Sequence, residues 1–419
     1  LRTPETGFAC KPMCWYSRCE YVRTPESEKS HCRPLGWVRS VPGVKDSAHL
    51  KQDLPVSQCV GTLGVNMSAH LRVRKAIVGL SAGCVLFLCG GEDYVDMSEF
   101  AHVRARDFNL LTDNDTSPSP DTFERLMSAV CPEELRRCLS EHGRSFLSSL
   151  GEKQVAIDGK KLRGASPRTN GTRGDYILSA YVTENHLLVG QESVTDKENE
   201  IPAIPRLLDR LDIDGAVVSI DAAGTQTAIA ERILEGNAHY FLAVKDNQPS
   251  LREAVRYAFR CGSVTDTSSE METGHGRVEE RVCRIASADS MEDEAVLSRW
   301  PGVRTVVEVT STVTTPEGAA SSVRHYISDE DHPHAAYYAM LARGHGGIEN
   351  QLHWHLDVTF KEDACRARKG FAAQNLSTVR KLALQIAKAH SDNRSIRKRL
   401  FRASLSQDYL LELLRGARI

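Results

Sequence analysis

The chain has 419 residues, 41% of them hydrophobic and 26% charged, the balance of a soluble globular protein long enough for two or three domains. A formal net charge of −2 excludes a uniformly basic coat for nucleic acid, so any such contact must come from local patches. No apolar run reaches the roughly 18–20 residues of a membrane span, and no continuous apolar core follows Arg2, so neither a membrane protein nor a secretory signal is read here. A cytoplasmic protein with reduced thiols is the expectation.

Residues 1–66 show no periodicity and are rich in Pro, Ser and Cys. They read as an unassigned segment, either a disordered arm or a stretch upstream of a start at Met67. Cys10, Cys14, Cys19, Cys32 and Cys59 crowd into it beside His31, but their spacings lack the paired Cys-x-x-Cys form of a zinc knuckle. Residues 67–150 read as a helical N-terminal domain, a type that often binds DNA. Apolar positions recur there at three- and four-residue spacing through Phe123, Leu126, Met127, Val130, Leu135 and Leu139, behind a helix start at Ser119-Pro120-Asp121.

At Gln154 the pattern changes to short apolar strands alternating with helices, the signature of an α/β sheet. Val155-Ala156-Ile157 stops at Asp158, a hairpin turns at Glu184-Asn185, and Ala216 to Ile220 stops at Asp221. Helices are expected over Ile201–Leu211 and Gln226–Leu234, and a strand over Tyr240–Val244 after the second of them. Within about 250–327 the stretches Arg277–Ala286, Thr305–Thr314 and Ser322–Ile327 are β-like, either an insertion or a sheet extension. From Ala335 the chain is helical again and ends in a basic tail over 391–419. From Ala364 to Ile419, thirteen Lys and Arg face three Asp and Glu, which reads as a solvated face or as a nucleic-acid contact.

Asp158 and Asp221 each close an apolar strand, where side chains of an open α/β sheet converge on one crevice. Two carboxylates so placed repel unless a cation lies between them, and oxygen ligands favour Mg²⁺ or Mn²⁺. Either Asp alone more often just caps a turn or helix; for the pair in equivalent contexts the two readings stand level. A third acid, Glu349, lies four residues before His353 on one helix face, in a segment where Trp354 and Phe360 interleave with polar groups.

Several ordered segments carry a family likeness. Ile157-Asp-Gly-Lys-Lys-Leu-Arg-Gly164, Asp196-Lys-Glu-Asn-Glu-Ile-Pro202, Ile220-Asp-Ala-Ala-Gly-Thr-Gln226, Tyr240 to Gln248 and Ile348 to Asp363 resemble motifs of the insertion-sequence DDE transposases related to the H-repeat-associated proteins. Ser119 to Phe123 and Ala372 to Leu376 fit as well, so the likeness runs from about residue 70 to 390. It implies an RNase-H-like catalytic core over 151–390 carrying a β-rich insertion, with Asp158, Asp221 and Glu349 as a triad holding two Mg²⁺ or Mn²⁺ ions. It also implies DNA as partner, at element ends and target, a homodimer on that DNA, and work in the cytoplasm at the nucleoid. Lys160, Lys161, Arg163, Lys245, Arg343, Arg366 and Arg368 are placed to clamp phosphates, although each alone is more often a plain surface charge. His353 and His355 suit DNA contact or packing. The family usually has Trp where this chain has Gly346, and its N-terminal helical region is short or altered here before Asp93; both favour a DNA-binding remnant without catalysis, and a metal-dependent nuclease without strand transfer is a third reading.

Overall fold

The computed structural model describes residues 18–20, 33–35, 82–104, 116–166, 175–194, 200–274 and 276–416. The side chains of the N-terminal cysteine cluster, Met67 and the segment 195–199 lie outside them. In the N-terminal part the strands Arg18–Glu20 and Arg33–Leu35 pair antiparallel. Helical turns over 82–88 lead to α1 (Tyr94–Arg104), α2 (Pro120–Ala129) and α3 (Pro132–Arg144). α2 begins as its sequence dictates: the Ser119 side chain accepts from the Thr122 amide, and Pro120 occupies the first turn where no donor is needed.

Nine strands form one sheet. They are β1 (Gln154–Lys161), β2 (Tyr176–Val182), β3 (Leu187–Val194), β4 (Val217–Ile220), β5 (His239–Val244), β6 (Val264–Gly274), β7 (Arg277–Ser287), β8 (Thr305–Thr315) and β9 (Gly318–Ser328), in the order β3-β2-β1-β4-β5-β9-β8-β7-β6. β1, β2 and β3 are an antiparallel meander, whereas β4 runs parallel to both β1 and β5. The parallel pairings need crossovers, supplied by α4 (Ala203–Leu208) before β4 and α5 (Thr227–Glu235) after it. α6 (Pro249–Cys261) follows β5, and α7 (Glu294–Arg299) bridges β7 and β8. β9 pairs antiparallel with β5, so the β-rich stretch extends the core sheet as four further strands. β6 had no counterpart among the strands expected from the sequence. Its Asp, Thr, Ser and Glu run is almost wholly exposed and is held as a strand by pairing with β7.

After β9 come α8 (Ala335–Ile348) and a π-helical continuation through Thr359, which Lys361 ends in a left-handed conformation. α9 (Ala372–Ala389), α10 (Ile396–Leu405) and α11 (Gln407–Gly416) complete the described chain. Strand parity separates two cores. Val155, Ile157, Val218 and Ile220 face α4, α5 and α6, packing on Ile204, Ile229, Ile233 and Val255. Ala156, Tyr181 and Leu188 face the other way, under Leu352, Leu356 and Phe360 and helices from both chain ends. Among the described residues no helix is long and apolar enough to cross a membrane, and no disulfide forms.

Candidate metal centre

The parallel register pairs Ile157 with Ile220, so Asp158 and Asp221 follow at adjacent positions on neighbouring strands. With a side-chain period of two, Asp158 shares the face of Ala156, and Asp221 that of Ser219, the face covered by α8 and its continuation. β1 continues past its acid, whereas β4 stops. Asp221 caps the tight turn Ala222–Gly224, its Oδ1 accepting from the Gly224 amide at 3.3 Å. The Asp158 carboxylate accepts from the Gly159 amide at 2.8 Å. Gly159 is required by close approach: a Cβ there would run into the ring of Tyr176, whose hydroxyl donates to the Gly159 carbonyl at 2.9 Å.

The third acid arrives on the helix packed across the strands. Gln154, on β1, donates from Nε2 to Ser219 Oγ and to the Leu341 carbonyl, both at 2.8 Å, which seats α8 on the sheet. Gly344 passes so close to that amide that a Cβ would overlap its oxygen. Beyond Ile348 the helix widens to π geometry, a local form concentrated at functional sites. There Glu349, His353 and Asp357, at four-residue spacing, face the Asp158 and Lys160 side of β1. His353 is buried, with Nδ1 2.9 Å from Glu349 Oε2 and 3.5 Å from Asp158 Oδ2. One ligand atom each from Asp158, Glu349 and His353 lies within 4.8 Å of the others. Leu352 and Leu356 turn into the core at 2% and 0% exposure, and burying side chains of this size contributes about 1.5–3 kcal/mol each to docking the helix.

Electrostatics mark the same spot. Burial pushes the Asp158 carboxyl up to about 6; His353 and the Gly159 amide work against this, while the charges of Asp221 and Glu349 add to it. Glu349 is held below the usual carboxylate range chiefly by its hydrogen bond to His353, against its partial burial. His345, one turn earlier, lies 3.1 Å from Ser219 Oγ, and burial lowers its pKa although Asp221 pulls the other way.

The other residues singled out in the sequence scatter. Lys160 is buried, its Nζ 2.6 Å from Asp357, 3.2 Å from Asp363 and 3.5 Å from Glu362. Burial alone would depress its ammonium, but Glu362 and Asp357 outweigh that and hold its pKa above the ordinary lysine value. It points into the protein and ties the end of the glutamate helix to β1. Arg163 is exposed and pairs with Asp363 at 3.4 Å, and Arg368 donates to the Gly164 carbonyl at 2.9 Å. Arg343 reaches away to Glu270, at 2.9 Å, and Glu272 on β6. Lys161 and Arg366 are exposed, as is Lys245 just past β5, and His355 bonds Thr359 Oγ1 at 3.2 Å. Gly346 faces open space. Sequence reasoning missed Gln154, His345 and the acids around Lys160. Strand parity was a usable signal for the last, since Lys160 must share the inward face of Asp158.

A family model described as a transposase DDE domain matches residues 149–386. YbfL of Escherichia coli is 31% identical over 342 residues, 79% of this chain and 89% of that protein. The E. coli protein named "H repeat-associated putative transposase YhhI" is 30% identical over the same shares. A Xanthobacter autotrophicus protein named from the dhlA 3′ region is 35% identical over 55% of this chain and 79% of its own length. This chain therefore belongs to the DDE transposase family, alongside the H-repeat-associated proteins.

Proposed function

We propose that the protein is an active transposase that cuts phosphodiester bonds at the ends of its element and joins the freed strands to target DNA. The observation that carries this reading is the adjacency of Asp158 and Asp221 on neighbouring parallel strands, with Glu349 brought within ligand range of Asp158, but not of Asp221, by a helix packed on the same face. Three antiparallel strands followed by two parallel ones, in the order β3-β2-β1-β4-β5, is the arrangement an RNase-H-like core requires.

A carboxyl raised chiefly by burial, with the charges of Asp221 and Glu349 adding to it, is a fit for divalent cations, and a mainly oxygen donor set suits Mg²⁺ or Mn²⁺. When bound, two such ions would activate the attacking oxygen and neutralise charge on the leaving one. The chain's own part is to fix the ligands. Gly159 and Gly224 amides orient the two aspartates, His353 steadies Glu349 against Asp158, and Lys160 holds the helix that carries Glu349. Arg163, whose charge acts on Glu349, and Arg368, bonded at Gly164, are exposed where phosphates would approach, as is Arg366, whereas parity turns Lys161 to the opposite sheet face. The proposal extends to a helical DNA-binding region over 67–150, a basic tail over 391–419, a dimer holding two ends, and action at the nucleoid in the cytoplasm.

The test is Mg²⁺-dependent cleavage and joining of DNA carrying the element's own ends, with Asp158→Ala, Asp221→Ala and Glu349→Ala alongside. Wild-type products that vanish in all three variants support the proposal. Identical behaviour of wild type and variants sinks it, and DNA binding without any cleavage would point to the remnant reading that Gly346 motivates.

A further inference from the structure

A cleft of about 750 Å³ opens from Asp221 toward the strands added after β5. Its floor is the end of β5, one wall is α6, and the other is the start of the added sheet on β7, β8 and β9. Six cations line it: Lys245, Arg252, Arg256, Arg260, Arg284 and Arg324. Against them stand the carboxylates Asp221, Asp246 and Glu308, so three positive charges remain in excess. Asp221 is a proposed metal ligand, and its neutralisation there would widen the imbalance.

The cations are ordered. Arg252, Arg256 and Arg260 recur every four residues on α6, a row on one helix face with a step of about 6 Å. Their partners are weak ones: Asp246 and Glu253 are largely exposed, and exposed pairs of this kind contribute only about 0–1 kcal/mol. Arg284 stacks on Phe259 with its guanidinium carbon 5.4 Å from the ring centre, which gives the cleft an aromatic base. Lys245 and Arg324 stand exposed at its edge.

We infer that this cleft holds one strand of DNA by its phosphates as the strand leaves the carboxylates, an assignment that rests on the proposed function. Arg284 is bound to the largely buried Glu308, but the spaced, solvent-facing guanidiniums of α6 and Arg324 suit a backbone and not a base sequence. The volume lies in the range of about 300–1,000 Å³ that encloses a ligand of a few hundred daltons, hence one or two nucleotides of one strand and not a duplex. The added sheet then gains a role, because β7, β8 and β9 supply the wall opposite α6.

The experiment measures fluorescence anisotropy of a labelled mixed-sequence single-stranded oligonucleotide and of its duplex, with full-length protein in EDTA across a salt series. Without metal no cleavage contributes, so this assay can fail while the catalytic reading stands, and the reverse. Replacing Arg256 and Arg324 together by Ala should weaken single-strand binding and lower the slope of log K against log salt by about 1–1.5, roughly 0.7 per lost phosphate contact. Arg232→Ala, in the last turn of α5 and paired with Asp209 and Glu235, should leave the slope unchanged. Equal slopes for wild type and the double variant, with equal thermal midpoints, would overturn the assignment. So would a loss confined to the duplex.

Discussion

Lys160→Met separates two roles for a lysine that lies two residues from Asp158. As a phosphate clamp it would be dispensable for folding, and its loss would lower the salt slope of DNA binding by about 0.9 with stability moved by less than about 0.5 kcal/mol. The structure assigns it otherwise. Its ammonium, 8% exposed, lies within 3.5 Å of Asp357, Asp363 and Glu362, and Glu362 is 2% exposed. Removing one partner of a fully buried pair costs about 3–5 kcal/mol, because the other charge stays buried and unpaired. Asp357 and Asp363 are about a third exposed and water can screen them, so only the Glu362 share counts in full. The expected loss is about 2–4 kcal/mol, read from urea unfolding. Amides of the π-helical segment 349–359 should exchange faster than the global transition allows, because that segment loses its anchor. Adding Glu362→Gln to Lys160→Met should recover part of the loss, a coupling that two independent sites would not show. The contribution has a pH signature. A pKa held above the ordinary lysine value adds stability that is fully present below about pH 10.4 and disappears as pH climbs through the folded value. An unchanged urea midpoint in Lys160→Met would refute this assignment.

Three other perturbations probe the same frame. Asp158, raised to about 6 in the fold and lower when unfolded, makes the metal-free protein less stable as pH rises from about 4 to 6; Asp158→Asn should remove that slope, raise the unfolding free energy at pH 7 by about 1–3 kcal/mol and abolish cleavage. An equal slope in both proteins would show that the carboxyl is not strained by burial and like charge. Gly344→Ala should displace the Gln154 side chain from Ser219 and Leu341, costing about 1–3 kcal/mol and reducing cleavage more than DNA binding; a fully active variant would mean the helix can shift without consequence. Lys388, whose Nζ donates to the Gln351 carbonyl at 2.7 Å, is pushed by burial down to about 7, so the unfolded chain binds more protons between about pH 7 and 10.4 and stability rises across that window. Lys388→Met should lose that rise, seen as a wild-type advantage at pH 9.5 that is absent at pH 6.5.

The strands that carry the first two acids were legible because parallel strands buried on both faces read as short apolar runs, and Val-Ala-Ile and Val-Val-Ser-Ile end at Asp. Glu349 was legible only through its neighbours: four-residue spacing to His353 predicts one face, and burial turned that face onto Asp158. Lys160 misled because a cation beside an acid looks like a ligand clamp until strand parity is applied. β6 misled for the opposite reason, since a polar strand at the sheet's far edge leaves no apolar alternation to read. The basic tail was the least transparent. Arg380, Lys381 and Arg399 are buried, with Arg380 stacked 4.7 Å over Phe87 and Arg399 bonded to Asp392 at 2.7 Å. Charge counted along a sequence does not reveal a helix enclosed on all sides.

That helix, α9, shows why the segment matched by the family model should not fold as a separate unit. Asn375 donates to the carbonyls of Met127 and Val130 at the end of α2, and Gln385 accepts from the Leu188 amide and meets His142 of α3. Phe87, Met97, Phe123, Met127 and Leu139 close the core that also contains Leu352, Leu356 and Phe360 beneath Glu349. At about 1.5–3 kcal/mol for each large apolar side chain, removing those five forfeits about 7–15 kcal/mol, the size of a whole domain's net stability. Residues 149–386 expressed alone should therefore bind a hydrophobic dye and lack a cooperative thermal transition, whereas residues 82–416 should melt in one step. A sharp transition for the shorter piece would show that the helices before β1 only rest on the catalytic core. If the shorter piece has none, those helices form part of the support that holds Glu349 over Asp158.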